Sequence, residues 1–179
     1  SYGDVLIRGV TLLILFLAVG CSSTPILPPA SLDSLMESVV SGDYSLSKEL
    51  TPLEYASKSF LIGEKLEGDG ESVSSCSYYQ KSIEQRTPLY YPTLLKLLGH
   101  CKLTGVELSA LWEKQRGSII PGWVADRYYQ LSLELAKKYR LTRWTIHFSL
   151  AWAPLAPHQS VGVKVLQDAI SLAEQEQLG

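Results

Sequence analysis

From Asp33 onward apolar residues recur at spacings of three and four, and no run alternates with the period of two that a half-buried strand needs, so the pattern predicts an all-α body. Thr51-Pro52-Leu53-Glu54 combines a cap residue, a first-turn proline and a glutamate three residues after the cap, which predicts a helix start. Further prolines at 88, 121 and 157 follow Pro52 at intervals of 36, 33 and 36 residues, and a period in the mid-thirties invites a test for an internal repeat. The final segment, Val161 to Leu178, places Val165, Leu166, Ala169, Ile170, Leu172 and Ala173 as an apolar stripe suited to closing one end of a stack.

The first thirty residues follow a different pattern. Val10 to Val19 is ten uncharged, mostly apolar residues, preceded by Arg8 and followed by Gly20 and Cys21. A spanning helix needs about 20 apolar residues, and this run has the length of an export signal's apolar region. The junction Leu17-Ala18-Val19-Gly20-Cys21 resembles a bacterial lipobox, which implies that Cys21 is diacylated and becomes the mature N-terminus. The alternatives are a core helix or an uncleaved membrane segment. Ser22 in the following position resembles the signal for transfer to the outer membrane of a diderm bacterium. Three prolines and four serines or threonines between residues 22 and 31 disfavour helix and predict an extended tether. The expected organisation is a signal peptide over 1–20, a lipidated tether over 21–32 and a helical domain over 33–179.

The repeat is best developed between Ser59 and Pro88. Ile62-Gly63 falls in a first helix, Gly70 in a turn, and Ser75, Tyr79 and Ser82 in a second helix, twelve, sixteen and nineteen residues after Gly63. This resembles the tetratricopeptide repeat, in which small residues let helices cross closely and an aromatic fills the space between them. Leu98-Gly99 repeats the pair thirty-six residues on; Gly105 is expected to close that helix and Ala110 to be its small crossing residue, with Lys114 where an aromatic is usual. A third hairpin runs from Trp123 to Trp152 through Ala136. The resemblance implies a short α-solenoid of antiparallel helix pairs; an irregular helical bundle is the alternative. Taken in that register, Cys76 and Cys101 lie on neighbouring helices, where they either form a disulfide, as an oxidising compartment permits, or pack as two small thiols.

The chain has 179 residues, 46% apolar and 19% charged, with a net charge of -2. One core and no field for collecting phosphates follow from that balance, so nucleic acid is not the expected partner. The three histidines form no metal-ligand pair, Cys76-His100-Cys101 lacks a fourth ligand, and neither a nucleophile elbow nor a phosphate loop is present, so no cofactor, metal or catalytic residue is assigned. Glu64 and Glu67 read as a solvated helix face. Helical arrays of this kind also resemble the superhelical arm of soluble lytic transglycosylases; Glu71-Ser72 matches the dipeptide holding that family's catalytic acid, but the glycine-rich segment that should follow is absent. Aromatic residues gather in the C-terminal half. Trp123, Arg127, Tyr128, Trp144 and Trp152 combine apolar area with hydrogen-bond donors and are the expected partner-binding residues, with core packing as the competing role. The expected protein is an outer-membrane lipoprotein facing the periplasm, bound to the membrane by its lipid and to another envelope protein or peptide by its helices; the alternative is a transglycosylase arm acting in peptidoglycan turnover.

Overall fold

A computed structural model of the chain describes residues 29–177. The expected signal peptide, Cys21 and most of the expected tether lie outside those residues. Among the described residues there are eight α-helices, one short 3-10 helix and no strand, an architecture compatible with a helical-repeat fold. The chain divides into two compact units, one ending at Cys101 and the other beginning at Lys102.

In the first unit, α1 (Pro29–Val40) opens inside the stretch expected to be extended, so residues 29–32 are helix rather than tether. The reason is local: proline fits the first turn of a helix, and Leu32, Leu35 and Val39 form a buried stripe at helical spacing. Helix α2 (Pro52–Gly68) starts at the capping box that the sequence predicts, with Thr51 Oγ1 accepting from the Glu54 backbone N–H at 3.2 Å and Glu54 Oε2 accepting from the Thr51 N–H at 2.8 Å. It packs on both α1 and α3 (Ser72–Ser82), and every residue from Ala56 to Gly63 is buried. Helix α4 (Tyr90–His100) lies against α3.

The crossing of α2 and α3 follows from two residues. A methyl group placed on Gly63 would stand 2.6 Å from Tyr79 Cε1, so only glycine admits the fully buried Tyr79 ring between the helices. Ser75 and Ser82 are also fully buried, and Ser82 Oγ donates to the Ala56 carbonyl at 2.9 Å. Gly99, which the repeat pattern pairs with Gly63, is exposed, whereas Gly63 is buried.

The second unit holds α5 (Gly105–Gln115), α6 (Gly122–Lys138), α7 (Thr142–Trp152), the 3-10 helix Ala153–Leu155 and α8 (Gln159–Gln177). Gly105 opens α5 instead of closing the helix before it, because Thr104 and Glu107 make a second capping box. Ala110 is exposed, and the buried positions of α5 are Leu108, Trp112 and Gln115. Helix α8 packs on α7 and the 3-10 helix through Gly162, Val165 and Ala169, whereas Val163 and Ile170 are exposed. A side chain on Gly162 would meet the Ala153 carbonyl at 2.5 Å, which is why this contact needs glycine.

Each boundary of the pair α6/α7 lies 70 residues after that of α2/α3: 52 and 122, 68 and 138, 72 and 142, 82 and 152. Their connections match as well. Glu71 N–H donates to the Leu66 carbonyl at 2.8 Å, and Leu141 N–H to the Ala136 carbonyl at 2.9 Å, each around a residue with positive φ, Gly70 in one and Arg140 in the other.

Candidate functional site

Two groups of side chains stand out, one in each unit. In the first unit, Glu64 and Glu67 sit one turn apart on α2 and face α3 and α4. The Tyr79 hydroxyl donates to Glu64 Oε1 at 2.8 Å and also to Glu67. Lys96 Nζ, from α4, lies 2.6 Å from Glu64 Oε1 and 3.1 Å from Glu67 Oε2, and His100 Nδ1 is 3.8 Å from Glu67 Oε1. These carboxylates are therefore a half-buried clamp on three helices, not the solvated face that their spacing suggests.

Burial pushes the Glu67 carboxyl up, but the hydrogen bonds from Tyr79 and Lys96 and the nearby positive charge outweigh it, leaving its pKa below the ordinary carboxylate value. Burial acts to lower the Lys96 ammonium, and its two carboxylate partners raise it on balance. Burial and the same carboxylates push the Tyr79 phenol far above its ordinary value. These directions hold Glu67 and Lys96 ionised and the Tyr79 phenol neutral, the protonation states in which the three groups bind one another. Cys76 on α3 and Cys101 just after α4 are joined as a disulfide with Cα atoms 5.8 Å apart, linking two helices of the same clamp.

The second group is an aromatic nest between α5, α6 and α7. Phe148 is its centre: ring centroids of Trp112, Trp144 and His147 lie 4.9, 5.7 and 5.0 Å away, and those of Tyr128 and Tyr129 lie 6.2 and 6.4 Å away. The same rings line a pocket of about 100 Å³, completed by Gln115, Arg116 and the turn containing Gly117, Ser118 and Ile120. Gly117 ends α5 at φ +79, a conformation that glycine adopts without strain. Trp112, Tyr128 and Phe148 are buried and form the floor; Arg116, Gly117 and His147 are exposed and mark the rim.

The rim is cationic. Burial, then the charges of Arg116 and Arg143, lower the His147 pKa below its ordinary value of 6.5, so the imidazole is neutral at pH 7. Arg143 lies 5.8 Å from the Trp144 ring centroid. No acidic residue lines the pocket. The Trp112 indole N–H is buried with no acceptor.

The five expected partner-binding residues do not form one surface. Tyr128 and Trp144 line the pocket, whereas Trp123 and Arg127, one turn apart on α6, are exposed outside it. Trp152 is half-exposed, and its Nε1–H donates to Asp126 Oδ1 at 2.8 Å. Glu71 is exposed immediately before α3 and lines no part of this pocket. Among the described residues no helix is long and apolar enough to cross a membrane, and no group of three or more His, Cys, Asp or Glu is gathered that could hold a metal ion.

Sequence reasoning missed the Lys96 clamp and the contribution of Gln115 and Arg116. Lys96 and His100 are one turn apart on α4, a signal present in the sequence, but which helix they face is a tertiary property. Comparison of this chain with protein families, curated proteins and solved structures finds no match.

Proposed function

We propose that the protein is a lipid-anchored, extracytoplasmic helical-repeat module that binds another envelope protein or peptide segment. In this reading its helix pairs stack as a short α-solenoid, Cys21 carries the lipid, and the chain faces the periplasm from the outer membrane. The return of one hairpin design at a 70-residue offset supports a repeat origin. The Cys76–Cys101 bond supports an oxidising compartment. The observation that carries the binding role is the exposed pair on α6: Trp123 retains 52% of its accessible surface, and Arg127 follows one turn later. Tryptophan and arginine combine apolar area with donors and dominate the energetics of protein interfaces. Lipid anchoring raises local concentration, so modest affinity suffices.

The test uses the chain with its leader, expressed in a diderm bacterium, with a photo-crosslinking residue at Gln130, one turn from Arg127. The expected result is one dominant adduct in the membrane fraction, lost in Trp123→Ala/Arg127→Ala, together with release of the protein from membranes by Cys21→Ser. Retention of Cys21→Ser on the membrane would refute the anchor, and crosslinking indifferent to the α6 changes would refute the binding face.

A further inference from the structure

The aromatic pocket of the second unit is separate from the Trp123–Arg127 face and has a chemistry of its own. Its floor is a hydrocarbon surface built around Phe148, with Trp112 only 4.9 Å away centroid to centroid. Its volume of about 100 Å³ is smaller than the roughly 150 Å³ of a cavity that takes benzene, so the body it admits has about four or five carbons. Its formal charge is positive and sits at the rim. Arg116 lines the pocket, and Arg143 acts on the same His147 ring. Glu113 is the acidic neighbour of Arg116, at 2.9 Å, but both side chains are more than half exposed, and pairs of that kind are weak.

We propose that this pocket binds a small apolar carboxylate, with a branched aliphatic body on Phe148 and Trp112 and the carboxylate at Arg116. Guanidinium groups recognise carboxylates by paired N–H···O bonds, and the buried Phe148 and Trp112 rings favour an apolar body. Two sources share this chemistry: a free short-chain acid, and the C-terminal residue of a peptide. A bound anion also changes what His147 experiences. The charges that act on it are Arg116, from the end of α5 and paired with Glu113, and Arg143 from α7; Tyr128 and Tyr129 of α6 line the same pocket. Offsetting the two arginine charges raises the His147 pKa in the complex, so affinity increases as pH falls through that pKa.

The experiment titrates the full chain with 3-methylbutanoate, following tryptophan fluorescence and the His147 ring resonances, with 3-methylbutanamide and N-acetyl-Ala-Leu as comparison ligands. The expected result is saturable binding below about 1 mM, at least tenfold weaker binding of the amide, at least tenfold loss in Arg116→Gln with partial recovery in Arg116→Lys, and an upward shift of the His147 titration. Tighter binding of N-acetyl-Ala-Leu than of the free acid identifies a chain terminus as the source, and the reverse identifies a free acid. Equal affinity for acid and amide, an unmoved His147 titration, or no saturation by about 10 mM would each overturn the proposal. Because Trp123 and Arg127 lie outside the pocket, any of those failures leaves the partner-binding reading standing.

Discussion

Replacing Gly63 by alanine tests the central packing claim of the first unit. The added methyl would lie 2.6, 2.7 and 3.1 Å from three ring atoms of Tyr79. Carbon atoms attract at about 3.5 Å and beyond, so the ring must retreat by about 0.9 Å. It has little freedom to do so, being fully buried and fixed at its far end by Glu64 and Glu67. Overpacking of this kind costs about 1–3 kcal/mol, and weakening a hydrogen bond to a charged group adds up to about 2. Alanine returns about 1 kcal/mol through its better helix propensity. The balance is a destabilisation of about 2 kcal/mol, or about 4–8 °C in Tm for a chain of this size. Urea unfolding followed by far-UV circular dichroism is the suitable assay, because all four tryptophans belong to the second unit and their fluorescence does not report on the first. In a Tyr79→Leu background the cost of Gly63→Ala should shrink toward the propensity gain. A single Gly63→Ala variant whose midpoint equals or exceeds that of the parent protein would refute the crossing geometry.

Three further outcomes are expected. The disulfide closes a segment of 25 residues, so Cys76→Ser/Cys101→Ser should lose about 3 kcal/mol in urea titrations, and an unchanged midpoint would contradict a constraint on the unfolded chain. Arg140 holds φ at 54, so Arg140→Gly should raise Tm by about 2–4 °C, equivalent to about 1 kcal/mol; a fall would show that the arginine side chain contributes more than its backbone costs. Because the Glu67 pKa lies below the ordinary 4.5, the clamp's stabilisation is present above pH 4.5 and is lost as pH falls through the depressed value. Lys96→Met should remove about 2 kcal/mol and move that acid loss to higher pH, and pH-dependent unfolding curves identical to those of the parent would disprove the coupling.

Local chemistry made part of this molecule legible in its sequence. The Thr51 capping box needs only four residues, and the crossing at Gly63, Ser75, Tyr79 and Ser82 was legible through the resemblance of their spacing to a tetratricopeptide repeat. Thr104-x-x-Glu107 carried the same capping signal, yet Gly105 read as a helix end because glycine's stop tendency competed with it. On α6 the helical register divides neighbours: Val124, Tyr128 and Leu131 turn inward, while Trp123 and Arg127, about 100° around the axis, stay in solvent. Composition grouped Trp123, Arg127 and Tyr128, and one residue of rotation separated them. The Glu64–Lys96 contact and the pocket at Arg116 depend on how helices distant in sequence meet, which no local pattern encodes.

The covalent ring from Cys76 to Cys101 encloses the exposed connection between α3 and α4, including Arg86. A protease cutting after Arg86 would open the main chain without parting its two pieces. The nicked protein would migrate as a single species until a reductant reached it, and only then fall into two fragments.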